Sequence, residues 1–146
     1  NTLGQIFCGL MVTPPAEDGP SYAKFKSERD SIYDGLKRRA TALQDGLNAI
    51  EGISCQDIEG AMYAFPSMTI PKAAEAKAKE MQVPADEYWC IRLVEEHGIV
   101  CVPGSGFGQK KGTYHFRITV LPPDDMLKDC ISRIKKFHED FTKEFS

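Results

Sequence analysis

Val102-Pro103-Gly104-Ser105-Gly106-Phe107-Gly108 leads, through Gln109 to Gly112, into Thr113-Tyr114-His115-Phe116-Arg117-Ile118-Thr119-Val120-Leu121. The second stretch alternates Tyr114, Phe116, Ile118 and Val120 with His115, Arg117 and Thr119. That is the two-residue period of a strand with one face in a core. The apolar run Ile99 to Val102 before the glycines reads as another strand. Gly104, Gly106 and Gly108 have the density of a nucleotide loop, but a phosphate cradle needs a helix N-terminus after its glycines. Here a strand follows instead. The glycines are therefore read as a shaped turn between two strands.

Working outward, Ile53 to Ile58 and Met62 to Ile70 read as further strands around the turn Asp57-Ile58-Glu59-Gly60. Lys72 to Met81 is rich in alanine and lysine and forms a helix. Pro84-Ala85-Asp86 opens another, running to Glu96 and stopped by His97-Gly98. After Pro122-Pro123-Asp124 a final helix carries the stripe Leu127, Ile131, Ile134, Phe137, Phe141 and Phe145. The expected class is α/β in the α+β sense: a two-layer sandwich with helices on one face of a small, mainly antiparallel sheet.

The first third is organised differently. Asn1 to Val12 reads as a short apolar helix capped by Asn1 or Thr2, ended by Thr13-Pro14-Pro15. Ser21 to about Ile50 then reads as one long helix, with Ile32, Leu36, Ala40, Leu43, Leu47 and Ile50 along its stripe. At 1.5 Å per residue such a rod spans roughly 45 Å, the length of an element joining two lobes. A break at Gly35 or Gly46 is the alternative. Residues 1–18 are expected to be a remnant of a preceding domain with its linker, and residues 19–146 a small domain that includes the helix at about 21–50. A start at Asn1, running straight into apolar sequence, suggests a piece of something longer.

Composition narrows the partners. The 146 residues carry a net charge of −3 with basic and acidic side chains mixed, which disfavours nucleic acid. No apolar run approaches the ~20 residues of a membrane span, so no membrane partner is expected. A chain of this length buries roughly 70% of its unfolded surface and needs no staple. The five cysteines, Cys8, Cys55, Cys90, Cys101 and Cys130, are scattered, and His97, His115 and His138 do not cluster with them. That argues for a reducing compartment, with most thiols as small buried hydrophobes.

Arg117 is the sharpest candidate for chemistry. A guanidinium offers two parallel donors that match the two oxygens of a carboxylate. From spacing alone, an arginine on a strand's outer face pairs with a surface acid. Its place beside the glycine turn, where Phe107 can wall a pocket with Gly104 and Ser105, favours a grip on a small acid. His115 lies on the same face as a polar neighbour. Tyr63, in Gly60-Ala61-Met62-Tyr63-Ala64-Phe65-Pro66, either packs in a strand or turns its hydroxyl into a site. There is no Ser/His/Asp or Cys/His arrangement, no paired carboxylates and no metal-ligand spacing. The residues alone give a recognition module for an amino acid or 2-oxo acid, with no catalytic, cofactor-binding or metal-binding residue among them.

Taken in order, Asn1-Thr2-x-Gly4-Gln5, Gly9-Leu10-Met11-Val12-x-Pro14-Pro15, Gly60-Ala61-Met62-Tyr63-Ala64-Phe65-Pro66, Val102-Pro103-Gly104-Ser105-Gly106-Phe107-Gly108-Gln109 and Gly112-Thr113-Tyr114-His115-Phe116-Arg117 resemble the C-terminal part of the alanine aminotransferases. The glycine turn with Phe116-Arg117 suggests the wider fold-type I aminotransferases. The Gly-Leu-Met-Val and Gly-Thr-Tyr-His-Phe-Arg stretches point to the alanine enzymes. The resemblance implies the small-domain fold of that class and a pyridoxal 5'-phosphate enzyme converting L-alanine and 2-oxoglutarate to pyruvate and L-glutamate. It also implies a homodimeric parent, expected in the cytoplasm, with the mitochondrion as the alternative. By resemblance, Arg117 holds the substrate α-carboxylate and the turn at Gly104, Ser105 and Phe107 lines the same pocket.

No lysine here sits in the family's Schiff-base motif. These residues alone are therefore expected to bind no pyridoxal phosphate and to be inactive. Two other readings stand beside this one. They are a free-standing amino-acid-binding or assembly module with the same fold, and a fold-type I transaminase of other specificity.

Overall fold

Pro66 decides how the sheet is partitioned. The computed structural model describes residues 1–146, and where the sequence reads as one strand from Met62 to Ile70 it has two short ones. A proline supplies no ladder N–H, so the chain pairs before Phe65 and again after Pro66. The elements of residues 36–146 are the C-terminal part of a long helix, then β1 (Ile53–Ser54), β2 (Tyr63–Ala64), β3 (Ser67–Met68), the helices α3 (Lys72–Glu80) and α4 (Ala85–His97), β4 (Val102–Pro103), a 3-10 turn (Gly104–Phe107), β5 (Tyr114–Thr119) and α5 (Asp124–Glu144).

β5 organises the sheet, whose pairings are all antiparallel. β3 pairs with its start (Ser67 opposite His115) and β2 with its end (Tyr63 opposite Thr119). β4 pairs with its middle (Val102 opposite Arg117), and β1 lies outside β3. The strands are shorter than the apolar runs that predict them, because only the stretches facing β5 or β3 find partners. The alternation along β5 is as expected: Phe116, Ile118 and Val120 are buried, while His115, Arg117 and Thr119 are half-buried on the other face.

The buried side of the sheet is covered by helices. Trp89 of α4 stacks on Phe116 with ring centroids 5.0 Å apart and meets Phe137 of α5 edge-on at 5.2 Å. Leu43, Leu47, Leu93, Leu127, Ile134 and Phe141 complete this core. Full burial of each such side chain contributes about 1.5–3 kcal/mol before entropy is counted. α4 ends as its sequence requires, with Gly98 in the left-handed conformation at φ 67°.

The long helix, α2 (Tyr22–Asn48), is continuous through both Gly35 and Gly46. Gly46 serves packing instead of a break. A Cβ there would lie 2.8 Å from Ile131 Cγ2 of α5, closer than carbon atoms approach.

Residues 1–35 form a separate compact unit, made of α1 (Thr2–Val12), the loop after it and the N-terminal part of α2. The Asn1 side chain caps α1 by accepting from Gly4 N–H at 3.2 Å. α1 contains no charged and no buried residue, and Leu3, Phe7, Leu10, Met11 and Val12 are all exposed. No helix of the structure is long and apolar enough to cross a membrane.

Candidate functional site: an unpaired arginine among aromatic rings

The outer face of β5 carries the candidate site. Arg117 projects from mid-strand, and its guanidinium carbon lies over the Tyr63 ring at 4.5 Å and over the Phe107 ring at 5.0 Å. Tyr63 arrives from the neighbouring strand: it pairs with Thr119, which makes it the diagonal neighbour of Arg117 on the same face. Phe107 arrives from the 3-10 turn. Such cation–π contacts hold a guanidinium without occupying its N–H groups, each contributing about 0.5–1 kcal/mol at an exposed site.

What separates Arg117 from the chain's other arginines is the absence of an oxygen partner. Arg29 pairs with Asp30, Arg38 with Asp124, Arg92 with Glu96 and Glu144, and Arg133 with Asp129. Arg39 donates to the carbonyl of Val120. The Arg117 guanidinium makes no hydrogen bond and no ion pair with any residue of the chain. Its planar, always-charged donor fork is oriented by rings and left open.

Two further rings extend the patch. Phe65, two residues along from Tyr63, lies parallel to the His115 ring with centroids 5.0 Å apart. It meets Phe107 edge-on at 5.6 Å. Tyr63, Phe65 and Phe107 are each 41–49% exposed, so the arginine sits in an open, aromatic-walled surface. An exposed apolar cluster around one unpaired cation suits a small anion with an apolar stem.

Of the residues singled out in the sequence, the structure brings Arg117 and Phe107 into contact. Gly104 and Ser105 have other surroundings. Gly104 is buried against β5, where a Cβ would lie 2.8 Å from His115 Cβ and 2.9 Å from the His115 carbonyl oxygen and would also strike the Gln109 side chain. Only glycine lets the turn lie this close to the strand. Ser105 donates its N–H to Asp86 Oδ2 at 2.6 Å. The hydroxyl of Tyr63 has no partner, and the residue contributes its ring face to Arg117. His115 Nδ1 donates to Gln109 Oε1, 2.9 Å away. Phe65, Gln109 and Asp86 join the site only through the fold. Phe65 carried a signal, since it shares a strand face with Tyr63. Asp86 was legible only as a helix opener.

Residues 16–134 match the family described as aminotransferase class I and II. Alanine aminotransferase 2 of Panicum miliaceum is 48% identical over 99% of this chain, and alanine aminotransferase 1 of Homo sapiens is 43% identical over 98%. The chain spans about 30% of the length of these relatives. Among solved structures, an alanine aminotransferase from Pyrococcus furiosus superposes with a TM-score of 0.63 at 29% identity, covering 76% of this chain and 25% of that one.

Proposed function

The chain belongs to the class I and II aminotransferases, and from that premise we propose that it supplies the substrate-carboxylate grip of an alanine aminotransferase. The reaction proposed for the whole enzyme is L-alanine plus 2-oxoglutarate giving pyruvate plus L-glutamate, in a homodimer of the cytoplasm or mitochondrion. Residues 19–146 would be its small domain, with α2 as the connecting rod.

The observation that carries this reading is Arg117, charged, held by Tyr63 and Phe107, and free of any internal acid. An α-carboxylate presents two coplanar oxygens, and the guanidinium edge answers with two parallel N–H donors. Such a pair fixes the position of the carboxylate and the plane in which it lies. Orientation of this kind supplies a large part of the barrier reduction when the reacting bond is thereby aligned. The rings beside the guanidinium keep bulk water from its faces, which strengthens the charge–charge attraction at its edge.

Pyridoxal 5'-phosphate, proposed as the enzyme's cofactor, stabilises negative charge at the substrate Cα. The groups gathered at Arg117 do not fit that cofactor. It needs a primary amine for its aldehyde and a cradle of donors for its phosphate, and Tyr63, Phe65, Phe107 and His115 offer neither. These residues are assigned to the substrate alone, and the cofactor's lysine is placed outside these 146 residues.

The test is Arg117→Ala in the full-length enzyme. Two charged hydrogen bonds are worth about 3 kcal/mol or more, so kcat/KM for L-alanine is expected to fall roughly a hundredfold or more. Unchanged kinetics would remove Arg117 from the substrate site.

A further inference from the structure

Phe107 rests on Arg117, and a buried acid holds the turn that carries Phe107. Asp86 lies in the first turn of α4 and is wholly buried. Its Oδ2 accepts from Ser105 N–H at 2.6 Å and from Gln109 Nε2 at 2.9 Å. Those two donors bracket Phe107, one on each side in sequence. Gln109 then directs its Oε1 to His115 Nδ1 at 2.9 Å. The His115 ring lies flat on Phe65, and Phe65 meets Phe107 edge-on. The path from the acid thus reaches the guanidinium twice, through the backbone of the turn and through the aromatic corner.

Asp86 is poorly matched to a purely stabilising role. No cation pairs with it, and Oδ1 has no hydrogen-bond partner at all. A buried carboxylate left half-satisfied costs folding free energy, and the α4 N-terminus offsets only part of that cost. A packed apolar residue fills such a space at less cost. What an apolar residue does not do is fasten both ends of the Phe107 turn at one point.

We propose that Asp86 is a positioning residue for carboxylate binding: through Ser105 and Gln109 it fixes the turn that sets Phe107 against Arg117. The proposal rests on Arg117 being the carboxylate grip.

The experiment measures propionate binding to the full-length holoenzyme by calorimetry, together with KM and kcat for L-alanine. The variants are Asp86→Asn, Gln109→Leu and Arg117→Lys, singly and combined. Gln109→Leu leaves Asp86 and its bond from Ser105 N–H in place and carries the test if Asp86→Asn fails to fold. Asp86→Asn and Gln109→Leu are each expected to weaken propionate roughly tenfold and to raise KM more than they lower kcat. In the Arg117→Lys background that loss should largely vanish, since a residue acting through another shows non-additivity. If Arg117→Lys weakens propionate while the other two leave it unchanged, Asp86 is structural and the proposal falls. Strict additivity overturns it as well. If Arg117→Lys itself leaves propionate binding intact, the grip is elsewhere and both readings fall.

Discussion

Trp89 Nε1 donates a hydrogen bond of 3.2 Å to His138 Nδ1, both side chains being buried between α4 and α5. The acceptor role requires Nδ1 to be unprotonated. The other edge of the ring faces the turn after α2, where Nε2 lies so near Gly52 that a Cβ would stand 2.9 Å from it. One neutral imidazole therefore fastens two helices and a turn.

Burial pushes the His138 imidazole below its ordinary value, opposed in part by the backbone of Glu51 and the charge of Glu139. A base whose folded pKa is depressed binds fewer protons folded than unfolded in the window just below 6.5. Stability is thus fully present above about pH 6.5 and declines as pH falls through that window. Urea unfolding midpoints measured from pH 8 to pH 5 should show this decline. His138→Gln, which keeps an acceptor for Trp89 but does not titrate, should flatten it. An equal slope in the variant would assign the decline to other groups.

Gly46 and Ile131 give a test of packing between α2 and α5. In an exposed helix Gly→Ala stabilises by about 1 kcal/mol. Here the added methyl lands 2.8 Å from Ile131 Cγ2 and 2.9 Å from Cδ1, so Ile131 has to shift to admit it. Gly46→Ala is expected to destabilise by about 1–3 kcal/mol in equilibrium unfolding. In an Ile131→Ala background the same change should become stabilising. The same sign in both backgrounds would disprove the contact.

The thiols should separate by burial. Cys90 and Cys101 stand 3.4 Å apart, sulfur to sulfur, as a hydrogen-bonded pair of free thiols. That hydrogen bond and burial both raise the Cys90 thiol, and burial raises Cys55 and Cys130. With an aromatic disulfide reagent at pH 8, the exposed Cys8 is expected to react first. Cys55, Cys90 and Cys101 should follow only on adding denaturant. Rapid modification of Cys90 in the folded chain, read by peptide mass, would contradict the packing.

Local pattern made β5, α4, α5 and the long helix readable, because each repeats a period or carries a cap within a dozen residues. The break at Pro66 was missed because the apolar character of Met62 to Ile70 continues across it, and only pairing with β5 shows where the ladder stops. The site divides the same way. Arg117 and Phe107 belong to adjacent segments and announced each other. Asp86 meets its partners 19 and 23 residues away, and no spacing rule couples a helix opener to a glycine turn that distant. Tyr63 lay in plain view, but its role depends on a register, Tyr63 opposite Thr119, fixed by the strands together.

α1 has a practical side. From Thr2 to Val12 no side chain carries a charge, so copies of this helix meet in solution with no like charges on it to repel them, while Leu3, Phe7, Leu10, Met11 and Val12 offer oily surface. In a concentrated preparation of these 146 residues such surface favours self-association. Mild detergent or low protein concentration, more than low ionic strength, is the means of keeping the chain dispersed.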